Sequence, residues 1–305
     1  MEEIRDIKLK GQNNASELLE NLSSTGFQAS HLAQAVALIE RMKKEKATIF
    51  FAFTANLVAS GLRGIIRELC EKKFVDAIIT TAGSIDHDII KSFEPYFQGS
   101  FFEDDVKLHK KGINRLGNIF VHTKRFELLE KKMRPWLEEL FARQKCVSPS
   151  ELSAFIGTKL NESSFLYWCS RNNIPVFCPG ITDGAIGLQF YFFKQSKKDF
   201  CIDVTADMQA AASIVLNAGK TGAIILGGGI SKHHTIGLNI LRDGLDFAVY
   251  VNTAAEFDGS LSGAQTQEAK SWGKIAVEAK TVNVNCDATI AFPLIAAALK
   301  EKKLF

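Results

Sequence analysis

The sequence predicts an α/β fold, a parallel sheet with helices on both faces, and three observations carry the prediction. Short runs rich in apolar, β-branched and aromatic residues recur: Thr48–Phe53, Asp76–Thr81, Asn118–Val121, Pro175–Cys178, Phe200–Val204, Ala223–Leu226, Phe247–Asn252 and Val282–Cys286. Between most of them lie stretches of helical period, namely Phe126–Arg143, Glu151–Leu160, Ala206–Ala218 and Ala288–Leu299. Near-continuous apolar strands joined by helices are what a sheet covered on both faces requires. The distinctive polar motifs then fall just past the carboxyl ends of strands, where parallel sheets bind ligands. These are Asn56, Thr81-Ala-Gly83, Thr182-Asp183, Gly227-Gly-Gly229, Thr253 and Asp287.

In chain order, an N-terminal arm (residues 1–28) opens with the charged run Met1-Glu-Glu-Ile-Arg-Asp, which has no apolar signal-peptide region. Gln28–Lys43 follows with a helical stripe of Leu32, Ala35, Val36, Ile39 and Met42. The longest uncharged run, Ala47–Leu62, is shorter than the roughly 20 apolar residues of a membrane-spanning helix. It also contains Thr54, Asn56 and Ser60, so it reads as a buried strand leading into a helix. No repeat or linker divides the chain, and residues 1–305 are taken as one domain.

Composition narrows the classes. At 305 residues, 46% of them hydrophobic, the chain can bury a large core. Its 37 basic and 34 acidic residues leave +3, too weak and dispersed for a nucleic-acid footprint. The basic runs Lys43–Lys46 and Lys131–Arg134 carry nearby acids and read as solvated helix faces. Six cysteines without a C-x-x-C pair suit a reducing cytoplasm and argue against both a disulfide framework and a metal site. The expectation is a cytoplasmic protein with no nucleic-acid or membrane partner.

Gly227-Gly-Gly229 follows a strand and precedes a helix-like run, which lets backbone approach a phosphate or a nicotinamide ring at a helix N-terminus. A tight turn without a ligand is the plainer alternative, since G-x-G-x-x-G is absent. Ala218-Gly-Lys-Thr221 looks like part of a P-loop, but it precedes a strand instead of following one. Asp86, Asp183, Asp258 and Asp287 sit at strand ends, where a carboxylate can accept ribose hydroxyls or cap a helix. His233 and His234 lie in the first turn after the glycines, where the helix end should hold an imidazole neutral, as a general base requires. Lys274 ends the triplet Trp272-Gly-Lys, with an aromatic wall beside its amine and Glu268 nearby to hold an ammonium group, although on the residues alone a lysine after a glycine is far more often a surface residue.

Several of these runs resemble the deoxyhypusine synthase family: EFDGSLSGAQTQEAKSWGK (Glu256–Lys274), GGGISKHH (Gly227–His234), TTAGSIDHD (Thr80–Asp88), GINRLGN (Gly112–Asn118) and DATIAFPL (Asp287–Leu294). The resemblance runs from about Thr25 to the C-terminus. It implies a Rossmann-like NAD-binding fold and a homotetramer with active sites at dimer interfaces. The implied activity is NAD-dependent transfer of the aminobutyl group of spermidine to one lysine of the translation initiation factor 5A precursor. It points to Lys274 as the amine that forms a covalent imine and to His233 as the base. The polyamine would lie against Asp86, His87, Gly259, Ser260, Leu261, Glu268 and Trp272. NAD would contact Ala55, Asn56, Ala59, Thr81, Ala82, Gly83, Asp183, Gly227, Gly228, Thr253, Ala254, Asp258, Asp287 and Ala288.

The chain also departs from the eukaryotic pattern, which has acids at His87, Leu188 and Leu261 and an asparagine at Gly237. The runs SIDHD and GSLSGA resemble archaeal-type members. Two other readings stay open: a homospermidine synthase-like aminobutyltransferase with a small amine acceptor, and a catalytically silent NAD-binding paralogue. The intact Lys274, Trp272, Glu268 and His233 argue against silence.

Overall fold

The strand Thr48–Phe53 is where the core begins: Phe50, Phe51 and Phe53 are fully buried, each ring worth roughly 1.5–3 kcal/mol of burial. The structure is a computed structural model that describes residues 3–9, 11 and 13–305, so Met1, Glu2, Lys10 and Gln12 of the arm lie outside the described residues. Two compact units are formed, each from separate segments: residues 1–53, 72–79 and 209–305 make the first, and 54–71 and 80–208 the second.

In the first unit the strands run Ile275–Asn285, Leu245–Asn252, Thr221–Leu226, Thr48–Phe53 and Ala77–Ile79 across the sheet, every pairing parallel. Helices Phe27–Lys44, Gly229–Leu238 and Ala288–Glu301 pack against it. Burial without alternation along Thr221–Leu226 is the mark of a strand covered on both faces, as expected. Phe51 stacks on Phe292 of the C-terminal helix at 5.5 Å between ring centres. The arm contains a helix the sequence reading missed, Ala15–Leu22, which Asn14 caps by accepting the N–H of Glu17. The N–H groups of Ala15 and Ser16 donate to the Glu301 carboxylate, and Leu19 is buried, so the arm docks on the C-terminal helix.

The second unit is largely helical and has a buried polar hub. Asp88 on the helix Ala82–Lys91 pairs with Arg63 Nε at 2.5 Å and accepts from Ser164 Oγ and the N–H groups of Phe165 and Leu166. These bonds tie three helices, Arg63–Glu71, Ala82–Lys91 and Phe165–Asn172, through one carboxylate. Two strand expectations are corrected here. The run at Asn118–Val121 is not a parallel strand: Ile119–His122 pairs antiparallel with both Ile113–Leu116 and Phe97–Gln98. Gly117, at φ 61°, closes a two-residue turn with Asn118, which turns the chain straight back. The run at Phe200–Val204 forms a strand only at Cys201–Ile202, paired with Cys146–Val147 in a separate two-stranded sheet. Helices Asp105–Lys110, Phe165–Asn172 and Ala185–Ser196 were not anticipated.

Candidate active site

In the first unit, the fully buried strand Thr221–Leu226 ends on the triple glycine. Gly227 takes φ 86° and donates its N–H to Val251 O of the neighbouring strand. A Cβ on Gly228 would fall 2.4 Å from Ser262 Oγ, so glycine is needed there because the loop lies against Ser262. Ser262 Oγ in turn accepts the N–H of Gly229. At Gly229 an added Cβ would meet nothing within 4 Å, which leaves that side of the loop open.

The helix Gly229–Leu238 then directs two neighbouring side chains differently. His233 and Lys232 both line a cavity of about 240 Å³, together with Tyr250, Gly259, Leu261, Glu268, Trp272 and Lys274. His234 does not line it. Lys274 is half-buried, its Nζ 3.3 Å from His233 Nε2 and 5.2 Å from the centre of the Trp272 ring. The His233 imidazole is held below its ordinary value, first by burial and then by the Lys274 charge. The sequence argument expected that lowering from the helix end; burial and the Lys274 charge are its causes here. Trp272 is 66% exposed, so it flanks the amine without sealing it from water.

Sequence reasoning missed Lys232. Its side chain is fully buried, and its Nζ donates to the carbonyls of Leu261, Ser262 and Ala264 at 2.8, 3.1 and 2.6 Å. The same ammonium lies 4.5 Å from the centre of the Tyr250 ring. Burial pushes it down to about 8, with Glu268 pulling the other way. One cation thus fixes the segment that forms one wall of the cavity. The available signal was its spacing, since Lys232 shares the helix's inward face with Thr235, Ile236 and Asn239, all buried. Tyr250 was also missed; its buried hydroxyl has no hydrogen-bond partner among the described residues.

Of the remaining first-unit candidates, Thr253, Ala254, Asp287 and Ala288 sit at strand ends as expected, whereas Asp258 lies further on, in the helical turn Glu256–Asp258. Thr253 and Ala254 follow Leu245–Asn252, where Asn252 Oδ1 accepts the N–H of Ala254. Asp287 caps the helix Ala288–Glu301 through the N–H of Thr289, the helix-cap role that its position allowed. Asp258 accepts from the N–H of Ser260, and the Ser260 hydroxyl first and that N–H second hold its carboxyl below the usual range.

The second unit gathers its own set. A Cβ on Gly83 would stand 2.9 Å from that of Ala55, and one on Gly184 would stand 2.7 Å from both Ala82 Cβ and Asp86 Oδ2. The segments carrying Ala55, Thr81–Gly83, Asp86 and Asp183 are therefore neighbours. Thr54 Oγ1 donates to Asn56 Oδ1, and Asp183 is exposed. Asp86 is buried, and both of its oxygens accept N–H groups, from Ala185 and Ile186 at the start of the helix Ala185–Ser196. Burial raises its carboxyl to about 6. His87 Nδ1 lies 2.8 Å from the Tyr96 hydroxyl, and burial pushes the imidazole down to about 4. Of the positions where eukaryotic members carry acids, Leu188 is exposed on its helix and Leu261 faces the cavity.

Among the described residues no cluster of three or more His, Cys, Asp or Glu could hold a metal ion, and no helix is long and apolar enough to cross a membrane.

Comparison with known proteins matches the deoxyhypusine synthase family model over residues 17–299. The chain is 45% identical to the "Probable deoxyhypusine synthase" of Thermoplasma acidophilum over 297 residues, which cover 96% of each chain. It is 43% identical to the deoxyhypusine synthase of Nicotiana tabacum, over 97% of this chain and 89% of that one. Among solved structures, that of a "putative deoxyhypusine synthase" from Entamoeba histolytica superposes with a TM-score of 0.70 at 27% identity, covering 95% of this chain and 96% of the other. With the lysine–histidine pair and its tryptophan already in place, these matches settle the affiliation: the chain belongs to the deoxyhypusine synthase family.

Proposed function

We propose that this protein transfers the aminobutyl group of spermidine to a lysine of the translation initiation factor 5A precursor, with NAD as cofactor and Lys274 as the covalent carrier. The observation that carries the reading is the 3.3 Å approach of Lys274 Nζ to His233 Nε2 in a cavity also lined by Glu268 and Trp272. A carboxylate and an aromatic face are complementary to an alkylammonium ligand.

NAD fits the residues present. The strand-end glycine loop is open at Gly229, and the named cofactor positions carry the acids Asp183, Asp258 and Asp287 with no lysine or arginine among them. That set favours a free ribose over a 2′-phosphate. The first-unit residues proposed to hold NAD are Gly227, Gly228, Thr253, Ala254, Asp258, Asp287 and Ala288. Bound there, NAD would supply hydride chemistry, as acceptor of a hydride from the carbon beside the secondary amine of spermidine and later as its donor.

The chain's own residues do the rest. Glu268 and Trp272 hold an ammonium end of the donor. His233 Nε2, neutral at ordinary pH because its value is lowered, accepts a proton as the donor carbon reaches the oxidation level of an imine. Lys274 Nζ adds to that C=N carbon. The C–N bond to 1,3-diaminopropane then breaks as His233 returns the proton, leaving the aminobutyl group joined to Lys274 as an imine. The acceptor lysine adds to the same carbon and displaces Lys274. Every imine on this path is open to hydrolysis, and Trp272 leaves the site exposed in the single chain. A neighbouring subunit of the homotetramer that the resemblance implies would close the site.

The test supplies labelled spermidine and NAD with either the factor 5A precursor or putrescine. Label on one lysine of the factor supports the proposal. Label only in homospermidine would favour the small-acceptor reading, and release of no 1,3-diaminopropane in either arm would overturn both.

A further inference from the structure

Four of the six cysteines meet in two pairs, one at the surface and one in the interior. The strands Cys146–Val147 and Cys201–Ile202 run parallel, with Cys146 directly opposite Cys201. The Cys201 N–H donates to Lys145 O at 2.9 Å and the Asp203 N–H to Val147 O at 3.0 Å, which fixes the register on either side of the pair. Facing residues on adjacent strands lie about 4.8 Å apart with their side chains on one face. That separation falls within the range a disulfide spans. Cys146 is exposed and Cys201 half-buried.

We propose that Cys146 and Cys201 are a modification site, which hydrogen peroxide converts into a disulfide joining the two ends of the 146–201 segment. The Cys146 thiolate attacks one peroxide oxygen, breaking the O–O bond to give a sulfenic acid and hydroxide. The Cys201 thiol then attacks the sulfenic sulfur, forming the S–S bond and releasing water. Overall, two thiols and one peroxide give one disulfide and two waters, with the sulfurs oxidised and the peroxide oxygens reduced. The neighbouring Cys201 thiol, with burial and then Asp203 and Glu151, holds the Cys146 thiol up at about 11, so this is a slow cross-link rather than a fast sensor.

The interior pair provides the contrast. Cys70 and Cys169 are also neighbours, but they are 0% and 2% exposed on the helices Arg63–Glu71 and Phe165–Asn172. Peroxide reaches them only through local opening of the fold. Selectivity for the surface pair therefore follows from exposure alone. Neither Cys146 nor Cys201 lines the Lys274 cavity, so the cross-link leaves basal activity in place.

The experiment treats the full-length native protein with hydrogen peroxide, alkylates the remaining thiols in denaturant and maps peptides without reduction. The expected result is a Cys146–Cys201 peptide that dithiothreitol reverses, with four of the six thiols still alkylated. In C201S, Cys146 should stop at a sulfenic acid that dimedone traps. The oxidised wild type should also melt several degrees higher than the reduced protein, because a loop of about 55 residues has been closed; C146S should show no such rise. Oxidation of Cys146 to sulfinic acid without cross-linking, or formation of Cys70–Cys169 first, would overturn the proposal.

Discussion

Replacing Lys232 with methionine keeps the volume and removes the charge from a fully buried site. Two opposing quantities set the outcome. Three carbonyls, those of Leu261, Ser262 and Ala264, lose their donor. Hydrogen bonds to a charged group are worth about 1.5–3 kcal/mol each, giving a loss of roughly 5–9 kcal/mol. Against this, the lysine falls from 10.5 to about 8 on burial, so at neutral pH its charge costs the folded state about 3 kcal/mol, which the variant recovers. The expected net destabilisation is about 2–6 kcal/mol, together with a lower kcat because the wall carrying Leu261 is released. The pH dependence has a definite sign. Below about 8 the lysine is charged in both folded and unfolded chains and the cost is complete. Between about 8 and 10.5 the folded chain sheds the proton first, so wild-type stability rises with pH relative to the variant. Urea denaturation from pH 7 to 10 measures both effects. A variant within 0.5 kcal/mol of wild type, a threshold on the order of ordinary surface substitutions, would refute the anchoring role if kcat and pH profile were also unchanged.

Asp86 and His87 should oppose each other in acid. Asp86, raised to about 6, disfavours the folded state above that pH and lets it gain about 3 kcal/mol as pH falls from 6 towards 3.8; His87, lowered to about 4, makes it lose about 3 kcal/mol between pH 6.5 and 4. Urea titrations at pH 7, 5.5 and 4.5 should thus show little net slope in wild type, an acid-labile Asp86→Asn and an acid-stabilised His87→Gln; parallel curves for all three would contradict it. Gly263→Ala places a Cβ 1.7 Å from Ala255 O and should abolish activity with a clear loss of Tm, whereas Gly237→Ala meets nothing within 4 Å and should raise stability by up to about 1 kcal/mol.

The sheet was legible because its strands are buried on both faces, and that burial forces long apolar runs such as Thr221–Leu226. The helix Ala185–Ser196 was not, since AIGLQFYFFKQS is apolar on most of its faces and carries no clear period. The antiparallel hairpin had a signal that went unread: Gly117-Asn118 between two β-like tetrapeptides is a two-residue turn. Lys232 and the Cys146–Cys201 pair show a different limit. One depends on a helix face closing over a loop about 30 residues further on, the other on strand register across about 55 residues, and neither follows from local spacing. Lys274 itself was visible only through the resemblance, because a lysine after a glycine is ordinarily a surface residue.

The claim that Lys274 carries the aminobutyl group can be tested by borohydride trapping. The protein is incubated with labelled spermidine and NAD, without acceptor, and reduced; peptides are then mapped by mass spectrometry. The account predicts one added aminobutyl group on the peptide containing Lys274, absent when NAD is omitted and absent from Lys274→Arg. Label trapped on another lysine, or on Lys274→Arg as readily as on wild type, would contradict it.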